Sequence, residues 1–408
     1  MVKFSSVIKN YALHAVGFLF TILFQFHIVS VLSKEEFGTF SLIWSSILIA
    51  SSFAVLGMDR LIIKKSAGAN NEEQIHNYKL SLIIMSVTGV VATLVLIAYY
   101  KLLKFDVIAI LCAIGIFFVH SATKLNEGHL IANNRVVSVN FFVSFVRPSL
   151  FLILSYGLYL ISLPASLINI LAIQVMVLVA IYIFTFPRSG WSPDGIQTIG
   201  STENSIANWP VESWPFFLIG ISLVINQNAD LILIDLFLDK TAVANYAFAS
   251  KIIIYTGVVL GLFGTIISPL IARSGLVQSG VDATNRKYAV FSLLSILAVS
   301  VFLIYVMDLF FPKYEDSVTL ILVLMITFAI KALFGPVEIY LSMTGHSAEA
   351  SKIMLISSVI NILGNVLLIP FIGVYGAVVM ALITIIYWNI MMRRKLYELR
   401  GINSLLIK

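Results

Sequence analysis

The most prominent pattern along the chain is a series of long apolar runs separated by short polar stretches. Residues 79–99 and 163–186 each contain about 20 mainly apolar residues, enough for a helix to cross a hydrocarbon layer about 30 Å thick. The runs do not alternate polar and apolar residues, which favours membrane helices over the strands of a barrel. We therefore predict an all-α polytopic membrane protein with twelve helices, at approximately 7–32, 38–58, 79–99, 106–124, 138–158, 163–186, 213–238, 241–272, 288–311, 316–343, 351–371 and 373–392.

Basic residues are distributed unevenly between the two ends of the predicted helices. Of the 26 Lys and Arg residues, eighteen fall on the side that both termini share and five fall on the other side. Lys and Arg accumulate in the cytoplasmic loops of membrane proteins. The bias therefore predicts a multi-pass protein with both termini in the cytoplasm, and it places Lys124, the last residue of the fourth predicted helix, on the cytoplasmic side.

Composition narrows the functional classes. The chain is 60% hydrophobic and 11% charged, whereas soluble domains are about half apolar and a quarter charged. The net charge of +6 follows from the basic cytoplasmic loops, so we predict no nucleic-acid partner. The single cysteine, Cys112, excludes an intrachain disulfide. No Walker A motif, zinc-ligand spacing or nucleophile motif is present, so we predict no metal site, no catalytic residue and no organic cofactor.

An internal repeat divides the chain into two halves. The segment 32–41 follows the first predicted helix, and a similar segment, 238–247, follows the seventh at an offset of 206 residues. Repeats of this kind are typical of transporters whose solute path lies between two bundles. We predict an N-terminal six-helix bundle, a cytoplasmic linker, a C-terminal six-helix bundle that is pseudo-symmetric with the first, and a cytoplasmic tail, at residues 1–186, 187–212, 213–392 and 393–408.

Three stretches resemble a known family, the polysaccharide-export flippases (O-antigen or lipid-linked oligosaccharide translocases) of the MATE/MOP transporter superfamily. Asn-Ala-Asp-Leu-Ile-Leu-Ile at 228–234 and Val-Ala-Asn-Tyr-Ala-Phe-Ala at 243–249 are similar to the family's pattern around helices 7 and 8. Residues 56–60, followed by Lys64 and Lys65, look like its exit from helix 2. The last three helices look like the family's at Gly345, Asn361, Asn365, Pro370, Gly373, Gly376 and Ala377.

The resemblance implies a MATE/MOP-like fold and a transport function. The expected solute is an undecaprenyl-diphosphate-linked oligosaccharide, such as an O-antigen repeat unit of lipopolysaccharide biosynthesis, moved from the cytoplasmic to the periplasmic leaflet of the bacterial inner membrane. Alternating access of the two bundles would carry it, with H⁺ or Na⁺ as a candidate coupling ion. Other glycan-assembly membrane proteins are candidate partners.

Ionisable residues within membrane helices are costly and usually face a cavity or a partner, so each is a candidate for function. Asp230 and Lys251 fall at similar depth on neighbouring antiparallel helices, where they could form an ion pair. Asp230 shares a helical face with Ser222 and Asn226. Two interpretations stay open: a cavity wall in which Asp230 takes the coupling ion and Lys251 meets an anionic solute, or a structural ion pair.

Arg147 precedes Pro148 near the middle of the fifth predicted helix, where proline should kink the helix. An arginine at this depth suits a diphosphate because its guanidinium can bond phosphate oxygens bidentately; the alternative is a carboxylate partner within the bundle. Arg60 leaves the second helix and could contact the lipid diphosphate, although the general bias of basic loops explains it equally.

Two spaced pairs fall in equivalent places of the two halves. Lys331 and Glu338 are seven residues apart in one predicted helix, and His120 and Glu127 are seven apart in another. This placement predicts facing walls of one cavity, with Lys331 binding the substrate and Glu338 and Glu127 available for ion coupling. Solvated positions at the helix ends are the alternative for both glutamates.

Polar residues on two further helices complete the candidate site. His14 and Gln25 share a face of the first helix, and Asn361 lies one turn before Asn365 in the eleventh. We predict that His14, Gln25, Asn226 and Asn361 line the cavity, with packing between helices as the competing interpretation.

Other functional classes fit less well. A membrane glycan polymerase or transferase usually needs a sizeable extramembrane loop, whereas the predicted outer loops contain only a few residues. A cation-coupled multidrug exporter of the same superfamily would bind cations, whereas Arg147, Lys251 and Lys331 favour an anion. The internal repeat indicates alternating access rather than a channel.

Overall fold

The computed structural model describes residues 4–66, 68–187, 203–274 and 277–405 of the 408-residue chain. All regular structure within these ranges is helical, and no strand occurs in them. The predicted all-α class is therefore confirmed. The chain divides into two compact units, Met1–Val224 and Ile225–Lys408.

The first unit is built from α1 to α8 and the beginning of α9. The helices are α1 (Phe4–Val31), α2 (Lys34–Val55), α3 (Met58–Ser66), α4 (Asn71–Leu102), α5 (Val107–Ala132), α6 (Val136–Val139), α7 (Arg147–Leu160), α8 (Leu167–Thr185) and α9 (Glu203–Phe237). A π-helical segment, Asn140–Val146, joins α6 to α7 without a turn.

The second unit contains the rest of α9 and α10 to α16. These are α10 (Lys240–Ser274), α11 (Gln278–Phe302), α12 (Asp308–Phe310), α13 (Ser317–Phe334), α14 (Val337–Met343), α15 (Ser347–Ile372) and α16 (Val374–Arg400). A second π-helical segment, Leu303–Met307, joins α11 to α12, and a short 3₁₀ helix, Pro312–Tyr314, precedes α13.

Within the described part of the chain, 11 helical segments are long and apolar enough to cross a membrane. They coincide with eleven of the twelve predicted helices, and the remaining one, 241–272, corresponds to the 35-residue helix α10. The protein is a multi-pass membrane protein.

The structure differs from the predicted boundaries where polar residues continue a helix. The predicted connection 59–78 contains α3 and the first turns of α4, because Asn70 caps α4 by accepting a hydrogen bond from the Glu73 amide. The predicted connection 125–137 is helical as far as Ala132, so α5 continues eight residues beyond its predicted end at Lys124.

The single predicted helix 316–343 is broken. The break between α13 and α14 lies at Gly335 and Pro336. The φ angle of Gly335 is +69°, which lies outside the right-handed helical region, and Pro336 has no amide hydrogen to donate. Lys331 therefore lies in the last turn of α13 and Glu338 in the first turn of α14, so they do not share one continuous helical face.

The internal repeat has a structural counterpart at the starts of α2 and α10. The Ser33 hydroxyl accepts a hydrogen bond from the Glu36 amide at 3.2 Å, and the Asp239 carboxylate accepts one from the Ala242 amide at 2.7 Å. In each unit a short polar side chain thus caps a helix that begins with lysine. The equivalent residues Phe37 and Val243 are both fully buried, because each packs the new helix onto its own unit.

The segment between the predicted bundles is only partly described. Residues 188–202 of the predicted linker lie outside the described ranges, and residues 203–212 belong to α9. The helix α16 continues to Arg400, eight residues beyond the predicted end of the second bundle at residue 392. The boundary between the compact units falls within α9, later than the predicted start of the second bundle at residue 213.

Candidate functional site

A cavity of about 170 Å³ lies within the first unit. Its walls come from the end of α2, the start of α3, the middle of α5 and the part of α9 that precedes residue 225. The charged residues of the lining are Asp59, Arg60 and Lys124. The lining contributed by α9 is apolar apart from backbone, and consists of Phe216, Phe217, Gly220, Ile221, Leu223 and Val224.

Two close backbone approaches form this cavity. The chain leaves α2 through Leu56 and Gly57, both with positive φ, and this turn redirects it into α3. A methyl group at Gly57 would lie 2.4 Å from the Phe217 nitrogen, so α9 packs directly on the turn. A methyl group at Gly128 would lie 2.4 Å from the Asp59 carbonyl oxygen, so α5 packs directly on α3. Larger residues at either glycine would separate these walls.

The charges around the cavity are close to one another but are not paired. Lys124 interacts electrostatically with Asp59, Glu127, Arg147 and Arg60. Among the described residues, none of these five side chains has a hydrogen bond or an ion pair within 4.0 Å. Three cations and two carboxylates therefore leave a net positive region with unused hydrogen-bond donors.

Arg147 occupies the start of α7, immediately after the π-helical segment. Its amide bonds the Phe142 carbonyl, five residues earlier, and Pro148 supplies no amide hydrogen, so the helix is irregular here as the sequence predicts. A methyl group at Gly17 would lie 1.7 Å from the Ser144 carbonyl oxygen, which places α1 in contact with the irregular turn. Glu127 is the carboxylate that interacts electrostatically with Arg147.

His120 lies one turn before Lys124 on α5. Its ring centroid lies 5.8 Å from that of Trp44, and both ring nitrogens are buried without a hydrogen-bond partner in the described part of the protein. Its neighbouring charges are Lys124 and Arg147, both cationic. The predicted pair of His120 and Glu127 thus belongs to one cluster with Arg147.

In the second unit, Asp230 is buried at the centre of a polar network. One carboxylate oxygen accepts a hydrogen bond from the Tyr246 hydroxyl at 2.5 Å, and the other accepts one from the Asn365 amide at 2.6 Å. The same amide group lies 3.2 Å from the Asn361 side-chain oxygen. The predicted ion pair of Asp230 with Lys251 is not formed: Tyr246 and Asn365 take its place, and Lys251 lies in α10 five residues after Tyr246.

Asn226 continues this network along α9. Its side-chain amide donates to the Ser358 hydroxyl on α15 at 2.8 Å, one turn away from the contact between Asp230 and Asn365. The polar face predicted on this helix is therefore present, and it faces α15. Asn226 and Asn361, predicted to line a cavity, contribute to the contact between the two helices.

Lys331 and Glu338 form the second spaced pair. They interact electrostatically, but the described structure gives neither side chain a hydrogen bond or an ion pair within 4.0 Å. The Lys331 ammonium lies 5.8 Å from the centroid of the Phe328 ring. The two residues are brought together across the break at Gly335.

The predicted residues of α1 are less involved. His14 is exposed, and Gln25 is half-buried. Neither is among the lining residues of the cavity in the first unit.

Sequence reasoning missed two residues of the cavity, Lys124 and Asp59. The signal for Lys124 was present, because positions 120, 124 and 127 fall on one face of a helix that continues to Ala132. Asp59 gave no such signal, because its position depends on the close approach of α3 to Gly128.

Comparison with solved structures identifies the fold. The lipid II flippase MurJ in its inward closed conformation has a TM-score of 0.74 at 12% sequence identity, covering 97% of this chain and 87% of that one. An inward-facing multidrug resistance MATE family transporter of the MOP superfamily has a TM-score of 0.69 at 12% identity, covering 97% and 99%. An outward-facing MATE transporter has a TM-score of 0.61 at 12% identity, covering 97% and 96%. The predicted MATE/MOP-like fold is confirmed.

Comparison with protein families gives a match over more than half of the chain. A family model described as "Polysaccharide biosynthesis protein" matches residues 5–275. A comparison with curated proteins found no matching sequence.

Proposed function

The chain belongs to the polysaccharide biosynthesis protein family, and from this premise we propose that it is a flippase for an undecaprenyl-diphosphate-linked oligosaccharide. The glycan would be an O-antigen unit or a related surface-glycan repeat. It would move from the cytoplasmic to the periplasmic leaflet of the inner membrane by alternating access. Both termini would then lie in the cytoplasm.

The observation that carries this proposal is the set of basic side chains without partners within a membrane-spanning unit. Arg60 and Arg147 have no hydrogen bond or ion pair within 4.0 Å in the described structure. Maintaining an unpaired cation within a membrane helix, as at Arg147, costs free energy, whereas Arg60 is exposed beyond the end of α2. A diphosphate offsets this cost, because its oxygens accept charge-assisted hydrogen bonds from both guanidinium groups.

The second unit would contribute further substrate contacts. We assign Lys331 and Lys251 to the anionic head or to acidic sugars, since both are basic residues on membrane helices of this unit. The multidrug-exporter alternative would need a cavity suited to cations, which the basic lining at Arg60 and Lys124 does not favour.

A reconstitution assay tests the proposal directly. The purified protein is placed in liposomes with a fluorescent undecaprenyl-diphosphate oligosaccharide, and an impermeant quencher reports its leaflet. Protein-dependent movement, absent from protein-free liposomes, is the expected result. Export of a cationic dye with no movement of several glycan lipids would contradict the proposal and favour the drug exporter.

Asp230 is the residue to which we assign the coupling ion. A carboxylate surrounded by amide and hydroxyl groups suits either a proton or a hard cation such as Na⁺. The side-chain oxygen of Asn365 adds an acceptor, since it is buried without a hydrogen bond in the described chain. Glu127 and Glu338 are the other carboxylates that could take this role.

Coupling is tested by imposing H⁺ or Na⁺ gradients on the same liposomes. We expect the gradient to accelerate flipping in the wild type and to have no effect on Asp230→Asn. The exposed residue Asp308 on α12 provides a matched control, Asp308→Asn, which should keep the response. A full gradient response in Asp230→Asn would exclude Asp230 as the coupling residue.

A further inference from the structure

The residues that follow α16 fold back onto the second unit, although the sequence predicts them as part of a tail. Gly401 has a φ of +65°, and its amide donates to the Tyr397 carbonyl at 2.8 Å, so α16 ends here and the chain turns away from the helix axis. Ile402 is 6% exposed and Ser404 is 0% exposed. Residues 401–405 are therefore packed as part of this unit, and we call this segment the strap.

Polar contacts join the strap to α11 and α16. The Gln278 side chain bonds both backbone groups of Asn403: its nitrogen donates to the Asn403 carbonyl at 2.8 Å, and its oxygen accepts from the Asn403 amide at 2.9 Å. The Asn403 side-chain oxygen accepts from Arg393 Nε and from the Leu405 amide, each at 3.1 Å. Both the backbone and the side chain of Asn403 thus fix the strap in place.

One buried side chain connects the strap to the break between α13 and α14. The Asn285 amide nitrogen donates to the Ser404 carbonyl at 2.6 Å, and the Asn285 oxygen accepts from the Tyr340 hydroxyl at 2.7 Å. A methyl group at Gly335 would approach that same oxygen to 2.1 Å. Because one end of an amide donates and the other accepts, the bond to the strap determines which end faces Tyr340 and Gly335.

The first unit contains an equivalent arrangement with the two residue types exchanged. Tyr78 lies seven residues after the first residue of α4, and Asn285 lies seven residues after the first residue of α11. The Tyr78 hydroxyl donates to the Asn126 oxygen at 2.5 Å, and the Asn126 nitrogen donates to the Thr185 hydroxyl at 3.0 Å. In both units, an asparagine bonded to a tyrosine also holds the chain at the end of α8 or just after α16. This recurrence indicates that the strap belongs to the design of the unit.

The helix break that the strap contacts determines the spacing of two candidate residues. Lys331 lies four residues before Gly335, and Glu338 lies three residues after it. The described structure gives neither side chain a hydrogen bond or an ion pair within 4.0 Å. Their separation therefore depends on the direction of α14 relative to α13, because no direct bond between them fixes it.

We propose that the strap is a positioning segment for transport: through Asn285 it fixes α14 relative to α13, and thereby the spacing of Lys331 and Glu338. This inference rests on the proposed function for the role of Lys331 in binding the substrate. It extends the substrate-binding machinery to a segment that follows the last membrane helix.

The first test loosens the strap in the full chain. Asn403→Ala removes the oxygen that accepts from Arg393 and from the Leu405 amide. Hydrogen exchange of α14, measured by mass spectrometry in nanodiscs, should accelerate about fivefold or more, and flipping of the glycan lipid in liposomes should slow by a similar factor. Asn403→Asp retains an acceptor oxygen for Arg393 and should stay close to the wild type in both measurements.

Two further variants serve as controls. Glu398→Ala removes an exposed residue of α16 whose side chain bonds Lys395 at 3.4 Å, and it should change neither measurement. Gly401→Ala adds a methyl group that would meet no atom within 4 Å, so it strains only the turn into the strap. It replaces Asn403→Ala if that variant does not fold, and it should change both measurements in the same direction.

A double variant separates positioning from general stability. Lys331→Ala should slow flipping about tenfold, because it removes a charged contact to the substrate. If the strap acts through Lys331, adding Asn403→Ala to Lys331→Ala should slow flipping by less than about twofold more. A strap that only stabilises the fold would instead give losses that multiply.

Each outcome has one interpretation. Wild-type exchange of α14 in both Asn403→Ala and Gly401→Ala would overturn the inference, because the strap would not hold this helix. Faster exchange with losses of flipping that multiply would also overturn it and leave the strap a purely stabilising segment. A wild type that flips no glycan lipid would overturn the proposed function and the role of Lys331 with it, whereas the exchange measurement would still show whether the strap holds α14.

Discussion

The functional and structural contributions of Arg147 can be measured separately. The described structure gives its guanidinium no hydrogen bond or ion pair within 4.0 Å, so replacing it removes no protein contact of that kind. We expect Arg147→Ala to reduce the flipping rate by about tenfold or more, since each hydrogen bond to a charged group contributes about 1.5–3 kcal/mol. The liposome assay measures the rate, and thermal unfolding in detergent should change little.

Two further variants sharpen this prediction. Arg147→Lys retains the charge but not the bidentate geometry, so it should recover only part of the rate. Arg135→Ala removes an exposed arginine that precedes the same helical segment and should retain the wild-type rate. A large drop in melting temperature with normal flipping in Arg147→Ala would show that the residue is structural.

At the residue scale, the sequence identifies charged residues more reliably than their partners. Arg147 could be selected because an arginine followed by proline within an apolar run has few ordinary explanations. The partners of Asp230 could not be selected, because they depend on how α9 meets α10 and α15 in three dimensions. Tyr246 and Asn365 lie 16 and 135 residues away in the chain, and nothing in local spacing ranks them above Lys251.

At the scale of helices, the contact between α3 and α5 determines whether the cavity exists. A methyl group at Gly128 would lie 2.4 Å from a backbone oxygen of Asp59, which cannot rotate away as a side chain can. We expect Gly128→Ala to destabilise the protein by about 1–3 kcal/mol through overpacking and to lower the flipping rate. Thermal unfolding and the liposome assay measure the two effects.

The matched control is Gly157→Ala in α7, where an added methyl group would meet no atom within 4 Å. It should keep the wild-type rate and gain slightly in stability, because alanine favours helix more than glycine does. Equal stability and flipping in Gly128→Ala and the wild type would indicate that α3 can move away from α5 without consequence.

The contacts of a buried asparagine, Asn285, stabilise the break between α13 and α14. Asn285 on α11 is fully buried, and its side chain accepts a hydrogen bond from the Tyr340 hydroxyl at 2.7 Å and donates one to the Ser404 carbonyl at 2.6 Å. It also lies against Gly335, where a methyl group would approach its side-chain oxygen to 2.1 Å. One side chain thus links α11, the helix break and the segment that follows α16.

We therefore expect Asn285→Ala to loosen α14 and residues 401–405 together. Removing a buried partner leaves Tyr340 and the Ser404 carbonyl unsatisfied, at a cost of about 1–3 kcal/mol each. Hydrogen exchange measured by mass spectrometry should accelerate in both segments. The control variant Asn134→Ala, at an exposed turn of the first unit, should leave hydrogen exchange in both segments unchanged. Unchanged exchange in Asn285→Ala would show that the contacts of Asn285 do not stabilise these segments.

At the scale of the whole molecule, the number and order of the membrane helices could be predicted because lipid imposes a length on every apolar run. The repeat could also be found, since the start of α2 and the start of α10 use equivalent caps. The extent of α3, α4 and α9 could not, because their polar turns lie beyond the apolar runs. Helix propensity and capping extend these helices, and a hydrophobicity pattern predicts neither of these two effects.

The orientation in the membrane is the remaining prediction at this scale, and it decides from which side the cavity is loaded. The helix α4 contains 32 residues, so at about 1.5 Å per residue it is long enough to place Lys64 before it and Lys101 near its end on opposite sides of the bilayer. The distribution of basic residues predicts Lys64 in the cytoplasm and Lys101 outside. Both side chains are exposed.

Single-cysteine labelling measures this orientation. In a Cys112→Ser background, which removes the only native thiol, Lys101→Cys should react with an impermeant maleimide in spheroplasts, whereas Lys64→Cys should react only after permeabilisation. The cysteine-free background is the control for non-specific labelling. Because Arg60 lies one turn before Lys64 on α3, the same result places the basic cavity lining at the cytoplasmic end of the helices, where a lipid-linked glycan would be loaded. The reverse labelling pattern would put that lining on the outer side and contradict outward flipping through it.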